Sequence, residues 1–198
     1  MANMDFLQKL NQSIKENNSL LCIGLDTDID KIPQHLTSSK EPLFEFNKAI
    51  IDTTYDLLSS YKINIAFYEA LGLSGLSQMA KTIVYIHIKY KDLPVILDAK
   101  RSDIGNTARM YAKASFEQWH ADAVTVNPYL GTDSIEPFLD YKDKGIIIIC
   151  RSSNPNASDF QNLLIGNEPL YIKVTRKVLE WNSKYNNCLM VVGPVDEM

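Results

Sequence analysis

The chain has 198 residues, of which 45% are hydrophobic and 22% are charged, a composition typical of a folded globular protein. This composition excludes a disordered polypeptide, a collagen and a small disulfide-bonded scaffold. Twenty Lys and Arg residues stand against 24 Asp and Glu residues, which gives a net charge of −4. Because the chain has no basic excess, its composition disfavours nucleic acid as a partner.

The cysteines and the N-terminal segment indicate the compartment. Cys22, Cys150 and Cys188 are widely spaced and form no C-x-x-C pair, so we predict buried thiols instead of a zinc site. The N-terminal segment lacks the apolar core of a signal peptide, and the longest apolar run, residues 146–150, is too short to span a bilayer. These features predict a cytoplasmic protein without a membrane segment.

Amphipathic helices alternate with short apolar strands along the whole chain. An apolar run without polar alternation predicts a strand buried on both faces, as in a parallel sheet covered by helices. We therefore predict six βα units in a single domain, residues 1–198, with irregular loops at residues 26–41 and 151–168. Helices are predicted over residues 5–17, 42–60, 76–91, 104–119, 132–141 and 169–181, and strands over residues 20–25, 63–67, 95–98, 123–126, 145–150 and 189–192.

A doubly wound open sheet and a (β/α)8 barrel both fit this alternation. The first turn between a strand and a helix, residues 24–28, contains no G-x-G-x-x-G, so a dinucleotide-binding fold loses its main support. In a barrel the carboxyl ends of all strands meet at one mouth, where the active site lies. We expect an α/β fold of the (β/α)8 TIM barrel family because polar residues follow the predicted strands at Asp26, Lys62, Asp98, Lys100, Asn127 and Ser153.

Two carboxylates and an ammonium group are concentrated at the end of the third predicted strand. Side chains alternate along a strand, so Asp98 and Lys100 are predicted to project to the same side, and Asp103 begins the next helix. A surface salt-bridge cluster has the same residue spacing. The apolar strand immediately before these residues, however, carries them to the mouth of the sheet and not onto an exposed helix face. Opposite charges keep a lysine protonated, and such a lysine can donate a proton to a carbanion. The cluster suits a reaction that forms a carbanion, such as a decarboxylation.

Five motifs follow one another along the chain: G-L-D at residues 24–26, K-I-N-I-A-F-Y-E at 62–69, D-A-K-R-S-D-I-G-N-T at 98–107, T-V-N-P-Y-L-G at 125–131 and R-S-S-N-P at 151–155. Together they resemble the orotidine 5'-phosphate decarboxylase family, and most closely its type 2 subfamily. The resemblance implies a homodimeric TIM barrel that converts orotidine monophosphate to uridine monophosphate and carbon dioxide in de novo pyrimidine synthesis. It also implies that the reaction needs no metal and no cofactor.

The resemblance implies a catalytic role for four charged residues. Lys100 is expected to donate a proton to C6 of the pyrimidine after carbon dioxide leaves. Asp98 is expected to face the substrate carboxylate and to hold Lys100, and Lys62 to join the same charged network. Asp103 is expected to reach across the dimer interface into the partner's site.

The resemblance also implies a set of substrate-binding residues. Asp26 is expected to contact the ribose hydroxyls together with Lys62, and Asn64 to support the ribose or the Lys62 side chain. Ile104 and Thr107 are expected to cross the dimer interface with Asp103. In the loop that contains Pro155, the hydroxyl of Ser153 is expected to bond the pyrimidine ring, and Ser152 is the alternative.

A closed barrel needs eight strands and typically about 250 residues. The resemblance implies a Gln-containing loop after strand 7 and an Arg after strand 8 that hold the 5'-phosphate, and we find neither in the sequence. We therefore expect a C-terminally incomplete barrel. Two alternatives stay open: an inactive or weakly active nucleotide-binding fragment, and a related Mg-dependent sugar-phosphate decarboxylase with the same D-x-K-x-x-D pattern.

Overall fold

The computed structural model of the protein describes residues 4–194. The chain folds into two compact units. Unit 1 consists of Met1–Ala99 and Lys113–Val124, and unit 2 of Lys100–Ala112 and Thr125–Met198.

The elements alternate between helices and strands in the order that the sequence predicts. The α-helices are α1 (Phe6–Asn17), α2 (Pro42–Thr54), α3 (Ala66–Glu69), α4 (Gly72–Lys89), α5 (Gly105–Lys113), α6 (Thr132–Leu139) and α7 (Leu170–Tyr185), and a π-helical segment, Ala114–Gln118, follows α5. The strands are β1 (Cys22–Gly24), β2 (Ser60–Asn64), β3 (Val95–Arg101), β4 (Ala123–Val126), β5 (Gly145–Arg151), β6 (Leu164–Ile165), β7 (Glu168–Pro169) and β8 (Cys188–Val192). Short 3-10 helices lie at Gln34–Leu36, Pro128–Leu130 and Pro155–Asp159.

Several boundaries differ from the prediction; helix α2, for example, ends at Thr54 and not at residue 60. Strand β2 begins at Ser60 and ends at Asn64, and the apolar residues that follow it form the start of α3. Lys62 therefore lies in the middle of β2, so the expectation that it stands at or just beyond the carboxyl end of a strand is wrong. The loop predicted over residues 151–168 also contains structure, because β6 and β7 pair there as an antiparallel hairpin.

The strands of the main sheet follow one another in chain order. Their hydrogen-bonded order is β1-β2-β3-β4-β5-β8, and the β1–β2, β2–β3 and β5–β8 pairs are parallel. A doubly wound sheet reverses its strand order at a switch point, whereas a barrel keeps the chain order. The α/β class is confirmed, and the strand order favours the barrel family over the doubly wound alternative.

The core of unit 1 lies between its strands and helices α2 and α4. Tyr61 and Ile63 of β2 are fully buried. Helix α1 is held to this unit by Lys9, whose ammonium donates to one carboxylate oxygen of Asp122 at 2.7 Å. The other oxygen of Asp122 accepts from the backbone N–H of Val95 at 2.9 Å. This buried carboxylate fixes the start of β3, the strand that leads to the charged cluster.

The core of unit 2 lies between β4, β5 and the helices α6 and α7, where Phe138 and Trp181 are buried. Of the three cysteines, Cys150 is buried as predicted and Cys188 is half-buried. The prediction is wrong for Cys22, which is exposed because β1 is an edge strand. Within residues 4–194, none of the helices has both the length and the apolar character that crossing a bilayer requires.

Candidate active site

Three predicted site residues meet in unit 1. The Lys62 ammonium donates to both carboxylate oxygens of Asp26, at 2.9 and 3.0 Å. The same nitrogen lies 3.5 Å from a carboxylate oxygen of Asp98. Asp98 is only 8% exposed, whereas Asp26 is exposed. One ammonium thus joins an exposed carboxylate to a buried one.

The parallel register places these residues side by side. Gly24 pairs with Lys62 across β1 and β2, and Asn64 pairs with Asp98 across β2 and β3. Asp26 lies two residues beyond β1, and Asp98 is level with Asn64, the last residue of β2. The two carboxylates thus lie toward the carboxyl end of β1 and β2, whereas Lys62 lies in the middle of β2. In parallel barrels these ends hold the catalytic groups. The position of the cluster agrees with that rule.

A network of buried hydrogen bonds fixes the backbone beside Asp26. The hydroxyl of Tyr68 donates to the carbonyl of Leu25 at 2.8 Å and accepts from the side-chain amide of Asn47 at 2.8 Å. The hydroxyl of Thr27 donates to the same amide group, at its oxygen. Burial raises the pKa of Tyr68 to about 12, so its hydroxyl stays protonated at neutral pH. Asp26 is therefore flanked by two anchored residues.

Asn64 contributes to the cluster through its backbone. Its N–H donates to Asp26 at 3.3 Å, while its side-chain oxygen accepts from the N–H of Ala66 at 3.1 Å and starts helix α3. The predicted support of the Lys62 side chain by the Asn64 side chain is not among the contacts of this structure. The role of Asn64 is to hold Asp26 and to shape the turn.

Lys100 has a left-handed backbone conformation, with φ of 46°. The predicted regular alternation of Asp98 and Lys100 along an extended strand is therefore wrong at Lys100. For a residue other than glycine this conformation costs roughly 1–2 kcal/mol, and such strain concentrates at functional sites. The N–H of Lys100 donates to the hydroxyl of Thr125 at 2.9 Å, which holds the backbone in place.

The residues predicted to reach a partner subunit lie at the start of α5. Asp103 is half-buried, and its carboxylate accepts from the N–H of Ile104 at 2.7 Å. Ile104 is 62% exposed, and Thr107 is exposed one turn further along. Ile104 and Thr107 therefore face solvent, whereas Asp103 is partly covered.

The loop after β5 presents Ser153 and holds Ser152. Ser153 and Pro155 are exposed. The Ser152 N–H donates to the amide oxygen of Gln161 at 2.8 Å, and its hydroxyl accepts from the amide nitrogen of Gln161 at 2.8 Å. Because Ser152 is engaged within the loop, its neighbour Ser153 is the better candidate for a ligand contact. Gln161 lies in the same loop but outside the R-S-S-N-P motif, so no pattern in the sequence indicates its contact with Ser152.

The cluster of unit 1 has more negative than positive charge, because two carboxylates share one ammonium. Carboxylates accept hydrogen bonds from hydroxyl groups and repel a second carboxylate brought beside them. In the described part of the chain, no three His, Cys, Asp or Glu side chains are grouped so that they could hold a metal ion. The cluster is suited to binding a polyhydroxylated substrate and to destabilising an anionic group on it.

Fold and cluster together define a parallel α/β enzyme with charged residues at the carboxyl ends of its strands. The sequence matches the model of the Orotidine 5'-phosphate decarboxylase / HUMPS family over residues 19–193. The chain belongs to this family, as its motifs predict.

Relatives and solved structures agree with this assignment. The chain is 52% identical over 186 residues to the orotidine 5'-phosphate decarboxylase of Christiangramia forsetii, an alignment that covers 94% of this chain and 68% of the relative. It is 51% identical over 193 residues to that of Cellvibrio japonicus, covering 96% and 70% of the two chains. The structure of Leishmania donovani OMP decarboxylase matches with a TM-score of 0.86 and 36% identity, over 98% of this chain and 72% of that one. The barrel-family prediction is confirmed by this match.

Proposed function

We propose that this chain carries the catalytic residues of an orotidine 5'-phosphate decarboxylase, a carboxy-lyase of pyrimidine biosynthesis. Family membership and the names of the relatives support this function. The observation that carries it is the contact of the Lys62 ammonium with the carboxylates of Asp26 and Asp98. Lys100 follows Asp98 by two residues on β3 and has a strained backbone conformation. A reaction that creates a carbanion beside a carboxylate needs these groups.

Asp98 acts on the ground state of the substrate. Its carboxylate is buried, and the Lys62 ammonium lies 3.5 Å from it, a longer separation than the 2.9 Å of the Lys62–Asp26 contact. A substrate carboxylate placed beside Asp98 is repelled, and the repulsion ends when neutral carbon dioxide leaves. Loss of carbon dioxide breaks the bond from C6 to the carboxyl carbon and leaves the electron pair on C6.

Lys100 completes the reaction as the proton donor. Its ammonium gives one proton to the electron pair on C6, so that a C6–H bond replaces the broken C–C bond. The neutral amine then regains a proton from water. Proton transfer by a positioned side chain typically contributes about 100- to 10,000-fold to the rate. The left-handed backbone of Lys100, anchored by Thr125, fixes the Cα atom from which this side chain extends.

Lys62 and Asp26 bind the ribose. The exposed Asp26 carboxylate can accept from ribose hydroxyls while Lys62 and the N–H of Asn64 hold it in place. Ser153 and Pro155 contact the pyrimidine in this proposal, from the loop after β5. Both residues are exposed there, and Ser152 is engaged with Gln161.

The active enzyme is a homodimer in this proposal, and it works in the cytoplasm. Asp103, Ile104 and Thr107 reach the partner's site from the start of α5. The 62% exposure of Ile104, which immediately precedes α5, and the 60% exposure of Met110 on that helix support an interface. Ile104→Glu is expected to yield monomers in analytical ultracentrifugation, whereas Leu163→Glu, at another exposed apolar position, leaves the dimer intact. A dimer in both variants would contradict this interface.

The experiment that tests the function is a decarboxylation assay on the protein that carries this sequence. Orotidine monophosphate is supplied, and the loss of its absorbance and the release of carbon dioxide are followed together. Turnover that EDTA leaves unchanged is the expected result. Activity on a sugar phosphate that EDTA abolishes and Mg²⁺ restores would favour the metal-dependent alternative. Binding of uridine monophosphate without turnover of orotidine monophosphate would indicate a non-catalytic protein.

A further inference from the structure

Strand β4 carries one hydroxyl in an otherwise apolar run. Its residues are Ala123, Val124, Thr125 and Val126, and Thr125 is only 5% exposed. A buried hydroxyl is costly unless it forms a hydrogen bond, and valine, which has nearly the same shape, would avoid that cost. The hydroxyl oxygen of Thr125 accepts from the backbone N–H of Lys100 at 2.9 Å. Thr125 therefore makes a contact that valine could not make, and this contact is with the proposed proton donor.

The segment that contains Thr125 also holds the residue after Lys100. The backbone N–H of Asn127 donates to the carbonyl of Arg101 at 3.0 Å. These four residues all belong to unit 2. The guanidinium of Arg101 lies 5.1 Å from the centroid of the Tyr111 ring on α5, so the side chain of Arg101 is anchored as well. The backbone of residues 100 and 101 is thus fixed by the end of β4 and the residue that follows it.

The conformation that is held in this way sets the direction of the Lys100 side chain. In an extended strand, the side chains of residues two positions apart project to the same side. The φ of 46° at Lys100 breaks this alternation, and it is strained for a residue other than glycine. Without the bond to Thr125, the backbone of Lys100 would relax toward the extended conformation, and its ammonium would move. A displacement of about 1 Å in an active site can lower a rate about 100-fold.

We propose that Thr125 is a positioning residue for Lys100, whose hydroxyl oxygen selects the left-handed conformation from which the ammonium reaches C6 of the pyrimidine. Thr125 contacts no substrate atom and acts only through Lys100. It begins the motif at residues 125–131, for which the family resemblance implies no catalytic or binding role. This inference rests on the proposed function, because Lys100 is the proton donor there.

Steady-state kinetics of three Thr125 variants test the proposal, and circular dichroism shows which of them are folded. Thr125→Val and Thr125→Ala remove the hydroxyl, and each should lower kcat for orotidine monophosphate at least about tenfold while KM changes less than about threefold. Thr125→Ser keeps the hydroxyl, so its kcat should stay within about threefold of wild type.

Thr175→Val is the matched control, because the same exchange removes a hydroxyl that donates to the carbonyl of Tyr171 at 2.9 Å within α7. This variant should have the kcat of wild type. A wild-type kcat in folded Thr125→Val or Thr125→Ala would overturn the proposal. So would a loss in Thr125→Ser as large as that in Thr125→Val, since the hydroxyl would then not matter.

A double-mutant cycle shows whether Thr125 acts through Lys100. In the Lys100→Ala background, Thr125→Val should cause no further loss of kcat, because the ammonium that Thr125 positions is gone. A further loss as large as the one in the wild-type background would overturn the proposal, since Thr125 would then act on the reaction by another route.

Amide hydrogen exchange at Lys100, followed by NMR, tests the bond without turnover. The N–H of Lys100 should exchange about tenfold faster in Thr125→Val than in wild type, and Thr125→Ser should restore the slow exchange. Equal exchange in wild type and Thr125→Val would overturn the proposal even if the enzyme is active. If wild type shows this difference in exchange but no turnover of orotidine monophosphate, the proposed function fails while the positioning of Lys100 by Thr125 is supported.

Discussion

The Lys62 ammonium lies 2.9 Å from one carboxylate oxygen of Asp26 and 3.0 Å from the other, so it holds this exposed side chain with two hydrogen bonds. The same ammonium reaches the buried carboxylate of Asp98. Lys62 thereby joins two carboxylates that belong to the strands on either side of β2, Asp26 just beyond β1 and Asp98 on β3. Its removal would leave two like charges near each other.

Lys62→Met is expected to lower kcat/KM for orotidine monophosphate by at least about 100-fold, since it removes the ammonium beside the buried Asp98 and releases Asp26. Steady-state kinetics measure the change. Lys31→Met is the matched control, because Lys31 is highly exposed and pairs with Asp28 in the loop that follows β1. An equal loss in both variants would show that Lys62 has no special role.

Tyr68→Phe is expected to lower the free energy of unfolding by about 2 kcal/mol, because the variant leaves the Leu25 carbonyl without the hydroxyl that donates to it and removes one of the two acceptors of the Asn47 side-chain NH2 group. It should also lower kcat/KM, since this network fixes the backbone beside Asp26. Urea denaturation measures the first effect. Tyr129→Phe is the control, because Tyr129 is 83% exposed, and it should change the free energy of unfolding little. Equal stability of Tyr68→Phe and wild type would contradict the role of the network.

The stability of the protein should fall as the pH rises from about 10 to about 12. Burial raises the pKa of Tyr68 to about 12 and that of Tyr61 to about 12, against an ordinary tyrosine value of 10.0. Below the unfolded-state pKa, both hydroxyls are protonated in the folded and the unfolded chain, and this stabilising contribution is complete. Between the two pKa values the unfolded chain loses protons first, so the free energy of unfolding decreases with pH.

Urea denaturation at a series of alkaline pH values checks this dependence. In Tyr68→Phe the decline should be shallower than in wild type, because one of the contributing hydroxyls is gone. The difference in stability between wild type and variant should therefore narrow from pH 10 to pH 12. A constant difference would mean that Tyr68 titrates alike in the folded and unfolded chain.

Lys100→Gly should be more stable than Lys100→Ala by about 1 kcal/mol, although both lose the ammonium. The φ of 46° at position 100 is strained for alanine and easy for glycine. Urea denaturation of the two variants isolates the backbone contribution, because neither side chain reaches the ionic groups nearby. If alanine were as stable as glycine at this position, the backbone would not be strained there.

Gly193→Ala should displace the loop that carries Ser153. A Cβ atom at Gly193 would lie 2.9 Å from the carbonyl carbon of Ser152 and 2.9 Å from the nitrogen of Ser153, which is too close. We expect a loss of about 1–3 kcal/mol in unfolding free energy, as for other overpacked sites, together with a raised KM. Gly24→Ala is the control for stability, because its Cβ meets Asp26 at 3.5 Å, an ordinary contact. An unchanged KM would argue against Ser153 as a substrate contact.

The sequence predicts the elements of the fold well where an apolar run has one interpretation. Strand β4 occupies its predicted residues, because residues 123–126 are apolar or β-branched and lie between turns. Strand β2 was displaced because the apolar residues continue from the strand into helix α3, and short apolar runs do not distinguish the two. The predicted irregular loop over residues 151–168 does not include the β6–β7 hairpin. Its turn contains Gly166, with φ of 68°, and Asn167, a pair of residues typical of tight hairpin turns.

The sequence predicts the residues of the candidate site that lie in motifs near the ends of the predicted strands. The contact of Lys62 with Asp26 joins residues 36 positions apart, and the prediction that both lie at carboxyl ends of strands is correct only for Asp26. The bonds that anchor Tyr68 and the left-handed conformation of Lys100 were not predictable, because they depend on packing between distant segments. Arg151 lies in a predicted motif, but its burial emerges only from the fold.

Turnover of orotidine monophosphate by the Lys100→Ala variant is the most direct test of the central claim, that Lys100 donates the proton to C6. The variant should bind uridine monophosphate with an affinity close to that of wild type and lose at least about 100-fold in kcat, the contribution typical of a positioned proton donor. A kcat equal to that of wild type would contradict the account.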